Sequence, residues 1–234
     1  QAYPSKSADD LPAEFKDAQG LWAGMGGRAR VFIVNTGKLE PKDYPSRLDD
    51  LLDARWPAEQ VGIANPLFGT TATQAAALYA ARGPEGGKAF YTALKARGVR
   101  VVDGNSVVRD LVANGQLAWG LTDTDDAAEA MAAGKPVKAI APDQGNGQAG
   151  TLVIPGTVAL IAGAPHAEQG RKLVDHLLSA ATEAALIQAG GAQTSLRAPS
   201  GAASASVRPM AVGLQQVQAQ LPKALAELRE IFVK

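Results

Sequence analysis

The chain has 234 residues, of which 46% are hydrophobic and 20% are charged, so it is long enough to build one large or two modest domains. Because 23 basic residues balance 23 acidic ones, a general nucleic-acid surface, which needs a basic excess, is excluded. The absence of cysteine excludes disulfides, thiol catalysis and thiolate metal sites.

The first 27 residues show few helix or strand signals and contain glycines at positions 20, 24, 26 and 27, which predicts an irregular segment. The chain begins at Gln1 rather than Met and carries no charged-then-apolar leader. No apolar run along it reaches the length of a membrane span. We therefore expect a processed or truncated chain with no transmembrane helix.

From residue 31 onward, apolar β-branched runs alternate with alanine-rich helical segments, which predicts an α/β fold. The predicted strands are Val31–Asn35, Val61–Ala64, Val99–Val102, Ala118–Leu121, Val137–Ile140, Leu152–Ile154 and Val158–Ile161. The predicted helices are Ser46–Leu52, Thr71–Ala81, Gly86–Arg97, Ser106–Asn114, Thr124–Ala133, Ala167–Leu178 and Ala181–Ala189. A last helical pattern over residues 214–232 contains Pro222, which predicts a kink or two shorter helices. Residues 198–207 are rich in Ser, Ala and Gly and predict an exposed loop or linker.

Two predicted strand-to-helix junctions have small, uncharged residues. Gly69, Thr70 and Thr71 open one helix, and Asn105 with Ser106 opens the next. Unpaired backbone N–H groups at a helix start favour an anion, and hydroxyl groups add donors. Simple N-capping by the same side chains explains the pattern equally well.

A third junction is acidic. Asp123, Asp125 and Asp126 follow a short apolar strand at a predicted helix start. Acidic residues in a first helical turn complement the helix dipole without any ligand. Three within four positions repel one another, however, so in a cleft at least one of them is expected to bind an ammonium group or a metal ion.

Arg28 and Arg30 flank Ala29 just before the strand Val31–Asn35, and strand alternation predicts that both point to one face. They form either a solvated pair or a cationic pair beside the cleft, where they contact anionic ligand groups or the aspartates.

Motifs for catalysis or nucleotide binding are weak. Residues 145–150 match G-x-G-x-x-G, but a strand rather than a helix follows, so we expect a turn there. No G-x-S-x-G motif occurs, and the ten-residue separation of His166 and His176 does not fit a helical metal pair. We expect no catalytic residues and no cofactor.

Five segments occur in a fixed order along the chain, namely Gly26–Thr36, Gly62–Thr71, Val102–Ser106, Gly150–Pro155 and Gly163–His166. Together they resemble the extracellular solute-binding proteins of ABC importers, in the ferric-iron-binding branch of the type II periplasmic binding protein fold. The resemblance extends from about Trp22 to the C-terminus. It implies two α/β lobes that close on a solute and deliver it to a membrane permease, and it aligns Gly69–Thr71 and Asn105 with the anion cradle of iron-binding members.

The sequence departs from this family in two ways. Iron-binding members carry paired tyrosines where this chain has Asp123–Asp126, so phosphorylated sugars, aminophosphonates or other small charged solutes fit as well as iron. The family also begins with about a hundred further residues, a domain's worth, so we expect mainly the second lobe plus C-terminal elements of the first. The implied division is 1–27 as an irregular first-lobe remnant, 28–36 as a hinge strand, 37–155 as the second lobe, 156–207 as the hinge return and first-lobe remnant, and 208–234 as C-terminal helices.

The sequence thus predicts a truncated solute-binding protein without enzymatic turnover, located in the periplasm or outside the cell, lipid-anchored or secreted after loss of a signal peptide. The expected ligand is ferric iron with an anion, or a compound bearing a phosphate or phosphonate group. An enzyme on an α/β scaffold and a domain-swapped assembly are the alternatives.

Overall fold

A computed structural model describes residues 1–190, 194–197 and 207–233. The strands are β1 (Ala23–Asn35), β2 (Val61–Ala64), β3 (Arg100–Val102), β4 (Trp119–Asp123), β5 (Val137–Ile140) and β6 (Val153–Val158). The helices are α1 (Gly69–Arg97), α2 (Asn105–Ala113), α3 (Thr124–Ala132), α4 (Ala167–Leu177), α5 (Ala180–Gln188) and α6 (Leu214–Phe232). Short 3-10 turns lie at Lys6–Ala8, Ala13–Phe15, Pro41–Asp43, Leu48–Leu52 and Ala58–Gln60.

The strands form one mixed sheet in the order β3-β2-β4-β1-β5, with β6 also paired to β1. Strand β2 runs parallel to both β3 and β4, whereas β1 runs antiparallel to β4 and β5. Right-handed crossovers through helices are the usual way to join parallel neighbours, and α1 and α2 provide the helical connections here. The α/β prediction is confirmed.

The chain divides into two compact units, and the boundary near residue 28 falls inside β1. Unit 1 consists of Gln1–Arg28 and Val153–Ser206, and unit 2 consists of Ala29–Leu152 and Val207–Lys234. In unit 2 the rings of Phe32 and Trp119 meet edge to face at 4.9 Å, and Trp56 meets Trp119 at 5.2 Å. Helix α6 packs along α1, where the Tyr79 hydroxyl donates to Glu227 at 2.9 Å.

The prediction that residues 1–27 are irregular is wrong for its last part, because β1 already begins at Ala23. The glycines that suggested irregular structure have a packing role. A Cβ at Gly24 would lie 2.5 Å from a Leu196 methyl group, and one at Gly27 would lie 2.9 Å from the other. Glycine therefore lets Leu196, which is buried, pack directly on the strand.

Three further element predictions are changed by the structure. Pro222 does not divide the last helix, because α6 continues through it with Ala224 and Leu228 fully buried. Of the two strands predicted near residues 152–161, only one forms, β6, and residues 159–161 lie outside it. The segment 46–52 forms a 3-10 turn rather than an α-helix, since the Asp50 carboxylate accepts the N–H groups of Ser46 and Arg47. The predicted loop at 198–207 lies almost entirely outside the described residues.

The break predicted between residues 81 and 86 is present inside α1. Gly83 has φ 73° and ψ 162°, a left-handed conformation that stops the helical hydrogen bonding and that glycine adopts readily. Pro84 then begins the second helical segment, where its missing N–H costs nothing. Within the described part of the chain, no helix combines the length and apolar character needed to cross a bilayer.

Candidate functional site

Three parallel strands of unit 2 end at the same edge of the sheet, and a helix follows each of them. Strand β2 leads into α1 at Gly69, β3 leads into α2 at Asn105, and β4 leads into α3 at Thr124. In open α/β sheets, ligands bind outside the carboxyl ends of the strands. This edge is therefore the place where the predicted site residues are brought together.

A buried ion pair forms the centre of this edge. Arg30 of β1 and Asp123 of β4 are direct cross-strand partners, and the Arg30 Nη1 atom donates to Asp123 Oδ1 at 2.7 Å. Both side chains are nearly inaccessible, at 0% and 3% exposure. Buried charges require such pairing, since an isolated charge in the interior is costly.

The two predicted small-residue junctions converge on the same ion pair. The hydroxyl of Thr70 donates to Asp123 Oδ2 at 2.7 Å, and the Asn105 amide donates to the same oxygen at 3.0 Å and to Thr70 Oγ1 at 2.8 Å. Arg30 Nη1 also donates to Thr70 and to Asn105, and Nη2 donates to Thr71 at 3.2 Å. Arg30, Thr70, Thr71, Asn105 and Asp123 thus form one hydrogen-bonded network.

One hydrogen-bond donor of Arg30 has no acceptor among the described residues. Its Nε atom is buried and has no hydrogen-bond partner. An unsatisfied buried N–H of a charged group is costly. This donor is consistent with a site that a ligand completes.

All three helices at this edge begin without a side-chain cap. The N-cap residues are Phe68 for α1, Gly104 for α2 and Asp123 for α3, and none of them makes a capping hydrogen bond. The first-turn N–H groups of these helices have no acceptor within their own helix. In unit 1, Ser179 caps α5, but α4 begins without a cap. A single uncapped helix start is therefore not evidence of a site, and we use the feature only where several such starts converge.

The capping explanation of Thr70, Thr71, Asn105 and Ser106 is therefore wrong, because all four lie inside their helices. The space around the starts of α1 and α2 is open at their glycines. A Cβ at Gly69, whose φ is 55°, or at Gly104 would meet no atom within 4 Å.

Asp125 and Asp126 lie in the first turn of α3, half-buried, and one carboxylate oxygen from each lies within 4.8 Å of one from Asp123. Asp126 Oδ2 accepts from Thr122 at 3.0 Å, and Arg109 of α2 lies 4.0 Å from the other oxygen. Burial raises the pKa of Asp126, and the nearby carboxylates Asp125 and Asp123 act in the same direction.

Of the other predicted site residues, Gly69 directly precedes Thr70, and Asp125 and Asp126 lie beside Asp123, whereas Arg28 and Ser106 are surface residues. Arg28 is exposed and belongs to unit 1, while Arg30 is fully buried in unit 2. Ser106 is exposed in the first turn of α2.

Sequence reasoning missed Thr122, Thr124 and Arg109. The Thr122 hydroxyl contacts both Asp126 and the Asn105 carbonyl, and Thr124 Oγ1 accepts the Ala29 N–H at 3.0 Å. Arg109 also binds Asp110 and Glu129. Its position one helical turn after Asn105, on the same face, is the signal that could have found it.

A sequence profile described as "Bacterial extracellular solute-binding protein" matches residues 1–211. The chain belongs to this family. Both the predicted family and the predicted class of binding protein are confirmed by this match.

Curated relatives within the family match about three quarters of the chain. It is 27% identical over 171 residues to the "Putative 2-aminoethylphosphonate-binding periplasmic protein" of Salmonella typhimurium, covering 73% of this chain and 50% of that protein. It is 27% identical over 187 residues to "Iron uptake protein A1" of Synechocystis, covering 76% of this chain and 51% of that protein. The chain thus spans about half the length of the curated relatives it matches.

Solved structures match nearly the whole chain. Ferric iron-binding protein A of Mannheimia haemolytica, in an open conformation, superposes with a TM-score of 0.83 at 17% identity, covering 99% of this chain and 76% of that one. Iron-bound HitA of Pseudomonas aeruginosa gives 0.81 at 22% identity, covering 99% and 76%. AfuA of Actinobacillus pleuropneumoniae, with fructose 6-phosphate bound, gives 0.81 at 18% identity, covering 100% and 76%. The type II periplasmic-binding-protein fold is confirmed.

Proposed function

We propose that this chain is the solute-capturing part of an ABC import system and that unit 2 binds the anionic group of a small solute, such as a phosphate or phosphonate. The observation that carries the proposal is the meeting of three uncapped helix starts at the buried Arg30–Asp123 pair. Backbone N–H groups at helix starts are a preferred environment for oxyanions.

The three helix starts favour an anion at this edge, whereas the aspartates beside them favour a cation. Arg30 and Asp123 cancel as formal charges, whereas each helix start contributes roughly half a positive charge, or about +1.5 in total. Asp125 and Asp126 lie beside this positive region. Arg109 forms ion pairs with Asp110, Asp126 and Glu129, so it neutralises Asp126 only in part. We infer a solute that carries an ammonium group as well as the anion, such as the 2-aminoethylphosphonate in the name of the Salmonella relative.

Ferric iron is the second candidate cargo, favoured by the cluster of three carboxylates. Asp123 is a poor ligand for it, because both of its oxygens already accept hydrogen bonds from Arg30, Thr70 and Asn105. Asp125 and Asp126 alone would leave a hard cation short of the six or more oxygen donors that such ions usually take. We therefore place iron second.

We propose that unit 2 is the second lobe, that unit 1 belongs to the first, and that β1 is a hinge strand. A membrane permease is the proposed partner. The names of the periplasmic relatives support a periplasmic or cell-surface location, and the family supports binding without turnover.

Isothermal titration calorimetry of the 234-residue chain tests the proposal, with 2-aminoethylphosphonate, inorganic phosphate, fructose 6-phosphate and ferric citrate as separate titrants. We expect saturable binding of the phosphonate, and a loss of about tenfold or more in affinity for Asn105→Ala, which removes a polar group from the site. Asn114→Ala, at the other end of α2, is the matched control and should bind normally. Binding of ferric citrate alone would support iron instead, and no binding of any titrant would overturn the proposal.

A further inference from the structure

Phe68 stands out among the exposed apolar residues because of its position. Its side chain is 66% exposed and it occupies the N-cap of α1, immediately before Gly69 and Thr70 of the proposed anion site. Large apolar residues are strongly disfavoured at N-caps, where Ser, Thr, Asp and Asn serve the helix better. Phenylalanine at this position therefore contributes neither buried apolar surface to the core nor a capping hydrogen bond to α1.

The backbone holds Phe68 in a fixed place. The Asn65 N–H donates to Val102 of β3, and the Asn65 side chain accepts the Leu67 N–H at 3.0 Å in a local turn. The Phe68 N–H donates to the Asn65 carbonyl at 3.3 Å, and its own carbonyl accepts the Ala72 N–H at 3.1 Å. The ring is thus presented to solvent by a turn anchored in the sheet.

We propose that Phe68 is a specificity-determining residue that packs against the carbon skeleton of the solute, an inference that rests on the proposed anion site. An oxyanion seated on the N–H groups of α1 has its remaining substituent directed away from the helix end. Phe68 directly precedes Gly69 at this open helix start, so its exposed ring offers an apolar surface to that substituent. Ligand sites usually combine a few placed polar groups with such apolar walls.

This arrangement selects organic phosphonates or phosphate esters over inorganic phosphate. Both kinds of ligand satisfy the helix N–H groups, but only the organic ones have methylene groups that the ring removes from water. Packing of two methylene groups is expected to change the affinity by about tenfold.

The test compares two ligands on three proteins by titration calorimetry: 2-aminoethylphosphonate and inorganic phosphate on the unaltered chain, Phe68→Ala and Met131→Ala. We expect Phe68→Ala to weaken phosphonate binding about tenfold while phosphate binding stays within twofold, because phosphate has no carbon to contact the ring. Met131, 42% exposed in the last turn of α3, is the apolar control and should leave both affinities unchanged. Phe68→Leu should retain most of the preference for the phosphonate.

Equal affinities in Phe68→Ala and the unaltered chain would overturn this inference and leave the anion site standing, as expected if the ring contacts another protein instead. An equal loss for both ligands would also overturn it, since Phe68 would then only shape the helix end. If the unaltered chain bound neither ligand, the proposed function would fail and this inference with it.

Discussion

At the scale of single residues, the Arg30–Asp123 pair connects the fold to the site. The pair is buried and its carboxylate accepts from three different side chains, so it fixes the starts of α1 and α2 relative to β4. Removing one partner of such a pair leaves an uncompensated charge in the interior.

Asp123→Asn should lower the free energy of unfolding by roughly 3–5 kcal/mol, because it keeps the shape of the side chain but leaves Arg30 without its counter-charge. Urea unfolding measures this directly. Asp103→Asn, an exposed aspartate before α2, is the control and should change stability little.

Asp126 gives a prediction for pH. Because burial raises the pKa of this carboxyl, the folded protein binds its proton more tightly than the unfolded chain does. The resulting stability is present at low pH and is lost as the pH rises from the unfolded value through the raised folded value. Asp126→Asn, whose amide oxygen can still accept from Thr122, should therefore raise the thermal midpoint near neutral pH and have little effect near pH 4. An equal gain at both pH values would contradict this account.

At the scale of elements, three helices share a feature that lowers their stability. Uncapped starts at α1, α2 and α3 forgo the gain of about 1 kcal/mol that a good N-cap provides. We interpret this as stability given up for ligand-binding N–H groups, as is common at functional sites.

Gly104→Asp should restore the missing cap of α2. Gly104 has an extended backbone with φ −162°, which any residue adopts, and a new Cβ meets no atom within 4 Å. We expect the free energy of unfolding to rise by roughly a few tenths of a kcal/mol, measured by urea unfolding, because glycine is itself a tolerated N-cap residue. Ser179→Ala, which removes the cap of α5, should lower it by about 1 kcal/mol. A destabilised Gly104→Asp protein would mean that the space before α2 is not free.

The elements could be predicted where a local signal fixes them and not where distant contacts do. The backbone preferences of Gly83 and Pro84 end one helical segment and begin the next, and the structure shows a break there. Pro222 carries the same kind of signal, but packing of α6 on α1 overrides it. The early part of strand β1 depends on distant contacts, since β6 pairs with β1 and Leu196 packs where Gly24 and Gly27 leave space.

The site was predictable for a similar reason. Strand ends followed by helix starts are visible in the sequence, and parallel pairing brings them to one edge. The role of Arg30 as the shared donor was not predictable, because it depends on the register that sets Arg30 opposite Asp123. A shift of one residue would have turned Arg30 to the other face of the sheet.

At the scale of the whole molecule, one buried carboxylate joins distant segments of unit 1. Glu183 accepts the Gly26 N–H of β1 at 3.1 Å, the Leu196 N–H at 2.9 Å and the Ser195 hydroxyl at 2.8 Å, and it pairs with Arg197 at 3.1 Å. Arg197 in turn binds Asp10 at 2.8 Å. Unit 1 is therefore held together by contacts between its two chain segments, Gln1–Arg28 and Val153–Ser206.

Glu183→Ala should lower the free energy of unfolding by roughly 3–5 kcal/mol, because Arg197 and two backbone N–H groups lose their acceptor. Denaturant unfolding followed by circular dichroism measures the change. Glu168→Ala is the matched control, since Glu168 is exposed and pairs with Lys172 along the surface of α4, and its effect should be below about 1 kcal/mol. Comparable effects of the two changes would contradict the assigned role of Glu183.

The most direct measurement of the central claim is a calorimetric titration of 2-aminoethylphosphonate into the unaltered chain and into Gly104→Asp side by side. If helix-start N–H groups hold the solute anion, the unaltered chain binds it saturably, whereas the more stable variant, whose new carboxylate occupies those groups, loses binding by at least tenfold. Undiminished binding by Gly104→Asp would contradict the claim that the start of α2 receives the anion.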